Sequence, residues 1–380
     1  MPSDSRGRRR VPLVDLGAQR RRLDGGIDRA IRRVLEHGRF VLGPEVGELE
    51  ERLGQLSGAG HVVTCASGSD AILLVLLAWG AGPGDAVFVP TFTFAATAEM
   101  VALVGATPFF VDVSAEDFNM AAASLSEAVE VAADSGLRPR GVVPVDLFGQ
   151  PAAYEAIEPL AAENGLWVLG DAAQSFGARF GERRVGTFGQ ATATSFFPSK
   201  PLGCYGDGGA VFTDDPELAE VLRSLREHGR GPTRHDYVRV GINGRLDTIQ
   251  AAVLLEKLSV FGEEVEARQR VAERYASGLS ALVGVPRTRA GATSVWAQYT
   301  VQAEQRDRVR AVLEAEGVSS AVYYPVPLHL QPAYSHAPRA PGGLAVSESL
   351  AARVLSLPIH PYLSEGDQDR VLSAVALAVR

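Results

Sequence analysis

The chain is poor in sulphur, with two cysteines and three methionines among 380 residues. Cys65 and Cys204 lie far apart and cannot form a disulfide framework, and neither has the C-x-x-C spacing of a metal or redox site. Both read as small buried hydrophobes in a protein of the reducing cytoplasm. Long apolar runs are also missing. The longest, "AILLVLLAW" at 71–79, ends after nine residues, whereas a bilayer span needs roughly 20, so it reads as a buried helix. The N-terminal "MPSDSRGRRR" is basic, but no h-region follows it, so it reads as a solvated tail rather than a secretory signal. An excess of positive charge is lacking too. A net charge of −8 argues against nucleic acid or a membrane surface as partner.

Several catalytic signatures are absent. No G-x-G-x-x-G follows a strand, and "GAGPGD" at 80–85 has the wrong spacing for a dinucleotide turn. There is no P-loop, no H-E-x-x-H and no G-x-S-x-G elbow. The seven histidines have no metal-site companions, so no metal is expected.

What remains is an alternation. "HVVTC", "DAVFVP", "TPFFVDV", "GVVPVDL", "LWVLGD", "ATATSFF" and "GAVFTDD" are short apolar runs separated by helical patterns between about 60 and 215. Continuous apolar strands between helices indicate a mostly parallel sheet covered on both faces, an α/β domain. "RLDTIQAAVLLEKL" and "EEVEARQRVAERYASGL" then read as helices. "WAQYTVQA" and "RDRVRAVLEAEG" read as strand and helix of a smaller α+β unit. The expected division is an N-terminal segment and large domain over 1–255 and a small C-terminal domain over 256–380.

Three places carry chemistry. In "CASGSDAILLVLL" a strand ends in a Ser-Gly-Ser turn at a helix start. Gly68 would let a phosphate approach, and Ser69 could donate to it. The same residues also make an ordinary N-cap. In "LWVLGDAAQSFGA", Asp171 stands at the carboxyl end of a buried strand, where open α/β sheets bind ligands. A carboxylate there needs a cation to meet it, such as a protonated pyridine nitrogen, unless it simply caps a helix. Gln174 follows within reach of a ring substituent. In "SFFPSKPLGCYGDGGA", Ser195 and Lys200 stand between a strand and a glycine turn. A lysine restricted and partly desolvated in this way is nucleophilic toward aldehydes. Phosphate cradle, buried carboxylate and strand-end lysine together form a pyridoxal 5′-phosphate site.

With these residues assembled, the chain resembles the StrS-like sugar aminotransferases, fold-type I enzymes dependent on pyridoxal phosphate. The resemblance runs from "VDLGAQRRRLDGGID" to "LPIHPYL". It implies that Lys200 forms the Schiff base, Asp171 holds the pyridinium and Gln174 the ring oxygen. Gly68, Ser69 and Ser195 would bind phosphate, and Phe94, in "PTFTFAATAE", would stack on the ring. Asn243, in "VGINGRLDTIQ", would reach the phosphate from the second subunit of a homodimer.

"GDGGA" and "LPIHPYL" look most like the aminotransferases of UDP-2-acetamido-2-deoxy-3-keto-glucuronic acid, which serve surface polysaccharide pathways. The implied substrates are that nucleotide-linked keto-sugar and L-glutamate. Arg245 would grip the C6 carboxylate, unless Asp247 holds it at a helix start. Tyr323, Tyr324 and His329, in "VYYPVPLHLQ", would face the sugar. Arg179, Arg183 and Arg184 read as a solvated hairpin. Tyr323 stands where this subgroup commonly has histidine, and His329 where it tends to have asparagine. "HLQ" is more familiar in the branch acting on dTDP-linked 3-keto-6-deoxyhexoses, which supplies the alternative substrate. Lys200 argues against the sugar dehydratases of this fold, in which histidine replaces it. A non-catalytic regulator that binds the cofactor is a further alternative, although no helix-turn-helix extension accompanies the chain.

Overall fold

Eight of the nine residues of the apolar run lie in the helix Gly68–Ala78, which Trp79 caps and whose residues Ala71, Ile72, Leu74, Val75 and Leu76 are all buried. A helix apolar on every side belongs inside a protein, and this one sits against the central sheet. The computed structural model describes residues 9–233 and 235–379. Most of the basic tail, residues 1–8, lies outside them.

Seven strands form the central sheet, in the spatial order His61–Cys65, Gly209–Thr213, Ala191–Ser195, Trp167–Asp171, Arg138–Val142, Asp85–Pro90 and Thr107–Val111. Every neighbouring pair is parallel except those made by Gly209–Thr213, which runs antiparallel on both sides. The sheet is therefore mixed but mostly parallel, and helices cover it, as in a fold-type I transferase of the α/β class. One expected strand is displaced. "GVVPVDL" was expected to pair throughout, yet the paired strand is Arg138–Val142, because Pro144 lacks the N–H a ladder needs.

Helices Gly26–His37 and Pro44–Ser57 pack on the helix Thr248–Leu258. Residue 255 falls inside that last helix. A second apolar cluster gathers Val271, Tyr275, Tyr299, Val309, Leu355 and Val371, and the N-terminal Val11 joins it. Its two-stranded sheet pairs Tyr299–Gln302 with Val354–Leu357. Among the described residues, no helix is long and apolar enough to cross a membrane.

Both cysteines are buried. Burial pushes the Cys65 thiol up and that of Cys204 to about 11, so neither is a reactive thiolate.

Candidate active site

The strands Trp167–Asp171 and Ala191–Ser195 run in parallel with Asp171 opposite Ala193, so their carboxyl ends open on the same crevice. The helix Gly68–Ala78 begins at that end, with Ser67 as its N-cap accepting from the Asp70 N–H at 3.0 Å. Around these three elements, Gly68, Ser69, Asp171, Gln174, Ser195 and Lys200 line one cavity of about 520 Å³ together with Phe94, from the loop after the strand Asp85–Pro90, and with Tyr323 and Tyr324. Gly68 is required by its surroundings. A Cβ there would stand 2.6 Å from the Ser195 Cβ, so the helix start and strand end meet only over a bare Cα. The first N–H groups of a helix have no partner within it. Here they open beside the hydroxyls of Ser69 and Ser195.

Asp171 is buried. One carboxylate oxygen accepts from the Thr97 hydroxyl at 2.7 Å and the other from the Ala173 N–H at 3.1 Å. Burial raises its pKa above the ordinary carboxylate value, while Thr97, Ala173 and the Lys200 charge hold it down. Desolvation lowers the Lys200 ammonium, and the Asp171 charge opposes that shift. Asp146, in the stretch that follows the neighbouring strand Arg138–Val142, is fully enclosed and pushed up to about 7 by burial, despite bonds from the Ala152 N–H and Ser175 hydroxyl.

Gln174 has a defined orientation. Its Oε1 accepts from the Phe148 N–H at 2.7 Å, which leaves Nε2 to face the Tyr324 hydroxyl at 3.3 Å. Burial pushes the Tyr324 phenol up, so it stays protonated. Phe94 is 58% exposed with its ring free at the cavity wall, 6.5 Å from that of Tyr324.

A phosphorylated pyridine aldehyde fits this donor set. It has a carboxylate for a ring N–H, an amide donor for a ring oxygen, an aromatic face, an amine and a hydroxyl-lined helix N-terminus for the phosphate. The wall also holds orphaned polar atoms. The Thr93 hydroxyl and the Gln298 Oε1 are buried there with no hydrogen-bond partner among the described residues.

Three expected residues are not brought to this cavity. Asn243 is exposed, and its backbone bridges to Glu227. Arg245 is half-buried, and no ion pair joins it to Asp247, which caps the following helix without a side-chain bond. Their segment docks nearby, through a bond from the Ala66 N–H to the Gly244 carbonyl at 3.1 Å. His329 requires a correction. It is buried away from the cavity, with Nδ1 at 2.8 Å from the Thr91 hydroxyl and Nε2 at 3.1 Å from Glu348, so it ties a loop rather than facing a ligand. The arginine hairpin is solvated as expected, and Arg183 pairs with Glu158.

Sequence reasoning missed Thr97 and Gln298. Thr97 had a readable signal, since it stands one helical turn after Phe94. Gln298 had none.

The sequence pattern of the DegT/DnrJ/EryC1/StrS aminotransferase family matches residues 22–376. The chain is 46% identical over 354 residues to UDP-2-acetamido-2-deoxy-3-oxo-D-glucuronate aminotransferase of Pseudomonas aeruginosa, covering 93% of this chain and 96% of that one. It is 41% identical over 368 residues to dTDP-3-amino-3,4,6-trideoxy-alpha-D-glucose transaminase of Streptomyces venezuelae, covering 96% of this chain and 95% of the relative. A crystal structure of a DegT DnrJ EryC1 StrS aminotransferase from Brucella abortus superposes with a TM-score of 0.96 at 53% identity, covering 97% and 99% of the two chains.

Proposed function

The chain belongs to the DegT/DnrJ/EryC1/StrS aminotransferase family, and we propose that it aminates C3 of UDP-2-acetamido-2-deoxy-3-keto-glucuronic acid with L-glutamate as donor. The observation that carries the choice of sugar is the 46% identity to the Pseudomonas aeruginosa enzyme over nearly the full length of both chains. The enzyme is an aminotransferase dependent on pyridoxal 5′-phosphate. That cofactor supplies an electron sink and a temporary carrier for the amino group.

The residues divide the work as follows. Lys200 anchors the cofactor through Nζ. Its lowered pKa would suit the free amine to take a proton at Cα of glutamate. Asp171 would keep the ring nitrogen protonated, and Gln174 would offer Nε2 to the ring oxygen. Gly68, Ser69 and Ser195 hold the phosphate, and Phe94 covers the ring. Tyr323 and Tyr324 line the sugar side.

Asn243 and Arg245 of each chain serve the cavity of its partner in a homodimer. Asn243 reaches the phosphate there, and Arg245 forks onto the C6 carboxylate. The half-buried guanidinium of Arg245 has no carboxylate partner among the described residues, which supports that reading. The setting is the cytoplasm, and the product serves surface polysaccharide synthesis.

The test starts from protein bleached by glutamate. A UDP-2-acetamido-3-keto-glucuronate should restore the visible absorption, and a dTDP-3-keto-6-deoxyhexose should not. Restoration by the deoxysugar alone would overturn the choice of sugar and leave the aminotransferase standing.

A further inference from the structure

Of the 37 basic residues, only two are lysines, Lys200 and Lys257. Where arginine fills nearly every other cationic position, the second lysine calls for a reason. Lys257 lies near the end of the helix Thr248–Leu258 and is 1% exposed. Its Nζ donates to the Gly203 carbonyl at 2.5 Å and lies 4.4 Å from the centre of the Tyr205 ring. It forms no salt bridge to a carboxylate among the described residues. A compact ammonium can meet a carbonyl and a ring face together, a task the wide planar guanidinium fork of arginine does poorly.

Its two contacts lie on the turn that carries Lys200. Gly203 sits flush against that turn, since a Cβ there would stand 2.6 Å from the Phe197 carbonyl oxygen. The same Phe197 carbonyl accepts from the Lys200 N–H at 2.9 Å. Ammonium, Gly203, Phe197 and Lys200 thus form an unbroken line. Seven residues before Lys257, two turns back along the helix, Gln250 accepts from the Tyr205 N–H at 2.8 Å and donates to the Tyr205 carbonyl at 3.3 Å.

We propose that Lys257 is a positioning residue for Lys200, holding the turn through Gly203 and Tyr205 so that the Lys200 amine stands where the cofactor needs it. The inference rests on the proposed role of Lys200. Burial lowers the Lys257 pKa to about 8, and Cys204 and Glu264 partly offset it. Tyr205 faces the ammonium as a ring. The grip therefore weakens as pH rises through about 8, where the ammonium loses its proton.

The scarcity of lysine makes the test direct. Protein labelled with 13C at lysine Cε gives two side-chain signals, and Lys257→Met deletes one and so assigns both. In the holoprotein the Lys257 signal should titrate near its lowered pKa, and the Lys200 signal and the visible absorption should move with it. In Lys257→Met that step should vanish. The rate of the half-reaction with glutamate should fall roughly 10- to 100-fold, the loss expected of a misplaced reacting group. KM for glutamate should stay within about twofold, since the donor's binding groups are untouched.

Removing an unpaired buried charge need not lower the melting temperature, so a kinetic loss without a thermal one marks positioning. An unchanged pH step in Lys257→Met, or a rate loss matched by lost fold, would overturn the proposal. Should that variant fail to fold, Tyr205→Leu removes the ring contact at a less buried place. It must shift the Lys257 titration and slow the half-reaction, and if it does neither the proposal falls. The readout needs no sugar. If Lys200→Ala still bleaches with glutamate, it is the role of Lys200 that fails instead.

Discussion

Thr97→Val isolates the electrostatics of the site in one atom. The Thr97 hydroxyl is buried and donates at 2.7 Å to an Asp171 oxygen that has no other donor among the described residues, while the Ala173 N–H serves the second oxygen. Valine keeps the branched shape and removes the donor. A hydrogen bond to a charged group contributes about 1.5–3 kcal/mol. At about 1.4 kcal/mol per pH unit, its loss raises the Asp171 pKa by roughly one to two units. Burial has already raised that pKa, so the shift carries Asp171 further toward the neutral acid.

A neutral Asp171 cannot hold a protonated ring nitrogen. The acid limb of kcat/KM against pH should therefore move up by about one to two units in Thr97→Val. Thr97→Ser, which keeps the hydroxyl, should leave it in place. Stability gives a second reading. A carboxyl whose folded pKa is raised contributes stability that is fully present below its unfolded pKa and is lost as pH rises through the folded value. The thermal deficit of apo Thr97→Val should therefore be larger at pH 7 than at pH 5. An acid limb that stays put, in a variant that keeps its cofactor, would refute the reasoning.

Gly68→Ala forces a methyl against the Ser195 Cβ. Overpacking of about 1–3 kcal/mol at the phosphate cradle should weaken cofactor binding by roughly 5- to 150-fold, read by equilibrium titration of the apoprotein. Arg245→Gln should raise KM for the uronate by about 10- to 100-fold, the loss of a charge-assisted fork, and leave the glutamate half-reaction unchanged. Co-refolding Arg245→Gln with Lys200→Ala should restore about a quarter of wild-type turnover, because mixed two-fold dimers hold one site with both residues intact. No recovery in dimers shown to be mixed would place Arg245 in its own chain's site. His329→Asn should lower the melting temperature through the lost Thr91 and Glu348 bonds. The ratio of kcat/KM values for the two candidate sugars should not change.

The parts of the site that sequence made legible share one property, a position at the end of a continuous apolar strand. Asp171 and Lys200 were readable because "LWVLG" and "ATATSFF" must be neighbouring buried strands, and polar residues at their carboxyl ends must then converge. The strand at 138–142 was misplaced for the converse reason. Its paired part begins with Arg138 and Pro139, while the apolar residues beyond it belong to a proline-interrupted stretch that makes only an isolated bridge, Val145 to Asp171.

Contacts across the sheet surface were beyond such reasoning. The Thr97 bond to Asp171 spans 74 residues and depends on how the helix Ala96–Leu103 sits over the strand. His329 misled because buried and ligand-facing histidines look alike in sequence, and only the partners of both ring nitrogens separate them. Arg245 and Lys257 then form an opposed pair, one cation off its own chain's cavity with no carboxylate partner among the described residues and the other gripping the turn behind it. The helix Thr248–Leu258 begins three residues after Arg245 and ends one after Lys257. If Arg245 serves the other subunit's sugar, a single rigid element links recognition in one site to the placement of the amine in the next. In that case Arg245→Gln should leave the Lys257 titration unchanged in the free enzyme. Any shift of that titration on adding sugar should appear in the wild type and be lost in the variant.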